Sequence, residues 1–227
     1  NRFLYEGGNP TLQPEKVFNV EAMMLYKWLN VSVGYNYLKD VMEWTKYIYP
    51  GKEFAYNTSL NFDHKQLLYA SVHVSPKLGI FRPTWKFNYS QQFFDTKKYG
   101  ASKALSKPLL SCSLNNHFAL SETMNAAISL NASTTHAEGF LMMKSGYSVN
   151  LQFDKSFVNR TWIIYLSAND IFKTAKERWT MYGLGAGTTK DCYNYTRCIS
   201  LQITYNFNAK RSKYKGTGAG NEEKSRL

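Results

Sequence analysis

No long apolar run occurs in this 227-residue chain. Its longest stretches, such as Ala22-Met23-Met24-Leu25-Tyr26 and Trp162-Ile163-Ile164-Tyr165-Leu166, fall far short of the roughly 18 residues that a spanning helix requires. A transmembrane helix is therefore excluded. A transmembrane β-barrel is not, because its strands never read as continuously hydrophobic. Charge is scarce too: only 19% of residues are Asp, Glu, Lys or Arg, although the balance is +12. Part of that excess is local, since residues 209–227 carry Lys210, Arg211, Lys213, Lys215, Lys224 and Arg226 against Glu222 and Glu223. The remainder is spread thinly, with no basic patch set among aromatics, so no nucleic-acid partner is expected.

Reactive chemistry is equally thin. There are three cysteines and four histidines. His64, His73, His117 and His136 are scattered and no cysteine spacing suits zinc, so neither a metal nor a cofactor is expected. Ser111, Ser113 and His117 share one strand face but lie too far apart for a direct bond between nucleophile and base. No G-x-S-x-G elbow exists. Gly183-x-Gly185-x-Gly187 neither follows a buried parallel strand nor opens a helix, as a phosphate cradle must. The chain is not expected to be an enzyme.

What the sequence does have is aromatic residues, 16% of the total with 17 Tyr, and a period of two. Tyr147, Val149, Leu151 and Phe153 alternate with Ser148, Asn150, Gln152 and Asp154; Ile199, Leu201, Ile203, Tyr205 and Phe207 alternate with Ser200, Gln202, Thr204 and Asn206. The same pattern marks residues 17–26, 29–37, 68–74, 85–89, 110–114, 124–132 and 162–168. Sustained alternation is the primary strand signal, which makes nine strands. Tight turns at 27–28, 75–83, 121–122 and 158–160 alternate with long connections over 39–66, 93–107, 134–145 and 169–195. In an antiparallel meander that places every tight turn at one end and every large loop at the other, as in outer-membrane barrels. Phe54, Tyr56, Leu60 and Phe62 keep the alternation of 68–74, so the first long connection is expected to be partly strand.

The polar face decides which solvent the apolar face meets. A water-soluble sandwich or carrier barrel turns many Lys and Glu outward, whereas here the polar positions are mostly Ser, Asn, Gln and Thr. Such side chains suit a wet lumen, which leaves Leu151 and Ile203 to face lipid and Asn150 and Thr204 to face the lumen. Tyr26, Trp28, Phe81, Trp85, Phe157, Trp162, Tyr205 and Phe207 fall near the tight-turn ends, where an interfacial girdle belongs. The fold expected is an all-β antiparallel meander of about nine strands, forming part of a transmembrane outer-membrane β-barrel. Residues 1–208 would be the C-terminal part of that barrel and residues 209–227 a basic, disordered tail. Nine is odd, and single-chain bacterial barrels have an even strand number, so further strands are expected to complete the wall.

Three motifs in order carry a family resemblance. Gly8-Asn9-Pro10-x-Leu12-x-Pro14-Glu15 followed by Asn19-x-Glu21 comes first, then Ser167-Ala168-Asn169-Asp170-Ile171-Phe172-Lys173-Thr174, then Ile203-Thr204-Tyr205-Asn206-Phe207 before a basic tail. Together they resemble the C-terminal barrel portion of TonB-dependent receptors and of the outer-membrane β-barrel family of Bacteroidetes. The resemblance implies barrel wall and extracellular loops of a receptor that takes up a scarce nutrient, located in the bacterial outer membrane. It implies as partners outer-membrane lipid, the preceding barrel strands and plug of the parent protein, TonB acting through that plug, and a small ligand. The alternative is an outer-membrane binding or structural barrel without energised transport. Among the loop residues, Trp44, Tyr47, Tyr49, Tyr99, Trp179, Tyr182, Tyr193 and Tyr195 are candidates for a ligand-stacking surface; an upper girdle with loop packing is the alternative. Cys192 and Cys198, beside Tyr195, are candidates for a disulfide in an oxidising compartment, with two free thiols as the alternative. Cys112, between Leu110 and Leu114, is expected to be an unpaired thiol on the apolar face.

Overall fold

A computed structural model describes residues 4–48, 54–157, 161–185 and 187–207. The tight turn expected at 158–160, Tyr49 and the basic tail 209–227 lie outside the described residues. Among the described residues there are fourteen strands and no helix, hence none long and apolar enough to cross a membrane. They are β1 (Leu4–Glu6), β2 (Lys16–Tyr26), β3 (Leu29–Ile48), β4 (Ala55–Val74), β5 (Phe81–Phe93), β6 (Leu109–Ser121) and β7 (Met124–Ser133), then β8 (His136–Glu138), β9 (Leu141–Met143), β10 (Gly146–Phe157), β11 (Trp162–Asn169), β12 (Lys176–Tyr182), β13 (Gly187–Tyr193) and β14 (Cys198–Tyr205).

The period-two segments build one antiparallel sheet in the order β14-β11-β10-β7-β6-β5-β4-β3-β2. Every neighbour in that order is also the next period-two segment along the chain, so the wall is a plain meander. Among the described residues β2 and β14 each keep one unpaired edge, and the sheet is open. Turns are short where the sequence turns sharply: Lys27 takes φ 48° between Tyr26 and Leu29, and Gly79 takes φ 61° in the hairpin closed by Leu78 and Phe81. The register slants. Starting from Tyr26, at the turn end of β2, the partners run Leu29, Val74, Trp85, Leu114, Leu130 and Val149. Val149 lies near the loop end of β10, so hydrogen-bonded rows climb from one rim to the other. That is the shear of strands tilted in a barrel wall.

Cross-strand pairs on the polar face satisfy one another. Ser32 and Ser71 hydroxyls meet at 2.9 Å, and Ser167 and Ser200 at 2.6 Å. Asn88 Nδ2 donates to Ser111 Oγ at 3.1 Å, Ser113 Oγ to Asn131 Oδ1 at 2.8 Å, and Asn125 Nδ2 to Asp154 Oδ2 at 2.8 Å. The opposite face carries Val33, Leu68, Phe87, Leu110, Ile128, Leu151, Leu166 and Leu201, all exposed. Its few polar groups are answered locally: Trp85 Nε1 donates to Asn116 Oδ1 at 3.0 Å, and Lys155 Nζ reaches Thr123 Oγ1 at 3.2 Å while lying over the Phe157 ring.

The first long connection is almost entirely strand, because β3 and β4 each run for 20 residues. The even-numbered alternation of residues 54–62 with 68–74 does not, however, keep one face. Asp40 adopts φ 55°, and the pair Asp40–Asp63 drops out of the ladder between Lys39–His64 and Val41–Phe62. Beyond that point the facing reverses. Val41 (1% exposed) and Phe62 join Leu38 in a single buried cluster, while Met42 and Trp44 are 45% and 42% exposed. Residues 7–15 strap the outer side of this reversed extension. Asn61 holds Gln13 by its backbone N–H (2.7 Å) and carbonyl (2.9 Å), Asn9 Nδ2 donates to Ser59 O, and Glu15 accepts the Met42 N–H. The Gly8-Asn9-Pro10 motif is thus the strap, preceded by β1 paired in parallel with β4.

Facing makes a direct prediction. Leu151→Arg places a cation on the apolar face and should cost about 2–4 kcal/mol near mid-membrane. Asn150 is the polar neighbour, but its Oδ1 accepts the Asp170 N–H at 2.8 Å, so Gln152, on the same polar face, is the cleaner comparison. Gln152→Arg should leave stability in micelles nearly unchanged. Heat-modifiable migration and urea unfolding of both variants read the difference, and the reverse ranking would place lipid on the wrong side of the sheet.

Candidate functional site at the loop end

The remaining long connections do not hang free. They fold inward over the polar face and form a cap around a second sheet, ordered β13-β12-β9-β8. Its core gathers Val41 and Phe62 from the β3–β4 extension, Phe94, Ala101 and Leu105 from the loop after β5, and Ala137, Phe140 and Met142 from the β8–β9 hairpin. Phe62 is central, with ring centroids 4.8 Å from Tyr99, 5.0 Å from Phe140 and 5.6 Å from Phe94.

A few polar side chains lock this core to the wall. Gln92, buried on β5, donates Nε2 to Leu105 O (2.8 Å) and Gly139 O (3.1 Å) and accepts the Gly139 N–H (2.8 Å). One carboxamide therefore ties two loops to one strand. Gly139 sits at φ 53° in the two-residue β8–β9 turn, and a Cβ there would overlap the Glu43 carboxylate. Glycine serves both the left-handed backbone and the close approach. Glu43 is itself ion-paired to Lys65.

Asp170 is a second hub. Only 2% exposed, it follows β11 at φ 45°, a conformation Asp tolerates. Its carboxylate accepts the Thr174 N–H (2.8 Å), the Ala175 N–H (3.2 Å) and the Thr196 hydroxyl (2.8 Å). Burial pushes its pKa up, but hydrogen bonds from Thr196, Thr174, Ala175 and Tyr193 outweigh that and hold it below the usual carboxylate range. The Asn169-Asp170-Ile171-Phe172-Lys173-Thr174 motif is thus the joint by which the wall launches the cap.

Of the loop aromatics, Tyr99 and Tyr182 pack against the buried core, and the Tyr99 hydroxyl accepts the Asp63 N–H at 3.1 Å. Tyr47 meets Tyr56 edge-on at 5.9 Å. Tyr193 stands 5.8 Å from Tyr195, which is 88% exposed. Trp44 and Trp179 border one cavity with Phe140. The seven described residues of this set are therefore divided among core, surface and cavity. Cys192 and Cys198 stand as free thiols at the end of β13 and the start of β14, and Cys192 Sγ lies 3.2 Å from Asn194 Oδ1. Cys112 is likewise free, at a half-buried position. Gln92, Asp170 and Phe140 drew no attention in the sequence as site residues. Only Asp170 carried a signal, through its motif.

Glu177 on β12 is the most perturbed carboxylate of the cap. Lys190 Nζ (2.7 Å), Trp179 Nε1 (3.0 Å) and Asn194 Nδ2 (3.2 Å) all donate to it. Lys190 contributes most, and together they pull its pKa from 4.5 down to about 2. Between cap and wall opens a cleft of about 490 Å³, bounded by Asn88, Ser111, Ser113 and Asn131 below and by Lys176, Glu177 and Asn194 above. Its lining is mainly hydroxyls and amides, joined by the Lys176 ammonium and the Glu177 carboxylate.

A sheet that is apolar outside, polar inside, sheared, and capped at one end only is the wall of an outer-membrane type of β-barrel. The chain belongs to the outer membrane protein beta-barrel family, whose model matches residues 1–205. It is accordingly a protein of the bacterial outer membrane, with its apolar face against membrane lipid. Comparison with curated proteins and with solved structures gave no match.

The Glu177 geometry predicts a pH response. Its folded pKa is depressed, so its contacts contribute fully above about 4.5 and are lost as pH falls from there through about 2. The part of the indole fluorescence that Trp179→Phe removes should stay constant from neutral pH to about 4.5 and change only below. A transition already complete at about 4.5 would contradict the hydrogen-bonded carboxylate.

Proposed function

We propose that this chain supplies barrel wall and extracellular loops to a TonB-dependent receptor that takes up a scarce nutrient. Its contribution is recognition and passage, without a catalytic step. The observation that supports this most is the inward-folded cap. Loops that bury their own apolar core over a polar lumen leave a cleft at the mouth of the barrel, lined by hydroxyl and amide groups with Lys176 and Glu177 on its upper side. A wall that served only as scaffold would have no need to gather its loops there. The polar ladder below continues hydroxyl and amide pairing down the lumen, with the Asp154 carboxylate held by Asn125.

Energised uptake further requires a plug and a TonB-contacting segment in the full-length protein. We expect the reading frame upstream of Asn1 to encode both, and the detergent-solubilised full-length protein to retain the purified C-terminal domain of TonB on a column. A complete upstream frame without a plug, together with no retention, would leave an outer-membrane barrel that binds without energised transport.

A further inference from the structure

A cavity of about 310 Å³ lies inside the cap, where the β3 extension meets the β8–β9 hairpin and β12. That volume is within the range of small-molecule sites. Trp44, Trp179 and Phe140 contribute its aromatic lining, and Glu43, Glu138 and Glu177 its charge. Three carboxylates from three separate elements border this one cavity in a chain whose balance is +12, against the general field of the protein. Two of them are already compensated, Glu43 by Lys65 and Glu177 by Lys190. Glu138, at the exposed lip, has no cation bonded to it among the described residues, which leaves the cavity one negative charge in excess.

We infer that this cavity is a recognition site for a small organic cation, an alkylammonium whose charge faces Glu138 and whose carbon substituents lie on the indoles. Tryptophan is the strongest cation–π partner, and the Trp179 ring is held in place by its Nε1 bond to Glu177. Carboxylates alone would admit any cation, and an aromatic slot alone any hydrophobe; the two together select a cation with an apolar coat. A bare metal ion fits poorly, since no group of three His, Cys, Asp or Glu among the described residues converges as a metal site. Fixed partners on Glu43 and Glu177 also mean that little side-chain ordering is needed on binding.

The inference rests on reading the cap as the ligand-facing end of the barrel, but not on how transport is energised. The test is equilibrium binding to the full-length protein in detergent, followed by calorimetry and tryptophan fluorescence. The probes are choline chloride and its neutral carbon isostere, 3,3-dimethylbutan-1-ol. Choline should bind saturably and the isostere about tenfold more weakly. Glu138→Gln and Trp179→Leu should each weaken choline severalfold, Trp179→Phe less so, while Trp28→Leu at the turn end should change nothing. Heat-modifiable migration establishes that each variant is folded. Equal binding of the two probes, no saturable choline binding by folded protein, or an unaltered affinity in Glu138→Gln would each overturn the assignment. A failure to retain TonB would leave this result untouched, so the two readings fail separately.

Discussion

Everything in this wall follows from one constraint: inside hydrocarbon, a backbone N–H or C=O has no water to bond, so neighbouring strands must satisfy it. The meander meets that demand with antiparallel ladders between successive wall strands, and the tilt of those ladders produces the slanting register. Side chains then sort by what each face touches. Outward positions carry hydrocarbon, and the exceptions Asn116 and Lys155 are answered by Trp85 and Thr123. Inward positions carry mostly small polar groups that pair across strands, and the Asp154 carboxylate among them is held by Asn125.

Above the membrane the rules change to those of a water-soluble protein. Apolar side chains turn inward, Phe62 and Phe140 pack with their rings tilted at 51°, and polar groups act as ties instead of lining. Gln92 and Asp170 do most of the tying, each by satisfying several backbone or hydroxyl groups at once. Leaving any one of those donors or acceptors buried and unpaired costs about 1–3 kcal/mol, which is why two side chains can hold so much loop in place.

The wall was legible in the sequence because alternation is enforced by two contrasting solvents along every strand. All nine period-two segments are wall strands, and Leu151, Ile203, Asn150 and Thr204 fall on the expected faces. The cap was not legible, for physical reasons. Its strands β8, β9, β12 and β13 are only three to seven residues long, too short for a period to stand out. Its key side chains, Gln92 and Gly139, matter through backbone groups distant in sequence. The aromatics were conspicuous in the sequence, but their separate settings were not: Tyr99 and Tyr182 pack on the core, while Trp44 and Trp179 border a cavity.

The reversal at Asp40 and Asp63 divides the longest hairpin into two pieces that answer to different solvents. Below it, substitutions answer to lipid thickness and ladder pairing. Above it, the tip is a small water-folded unit joined to the wall by two strands in unchanged register. Because Val41 and Phe62 pack with Phe94, Leu105 and Phe140, a change in the tip acts on the cap, while the ladder below the left-handed residue keeps its own pairing.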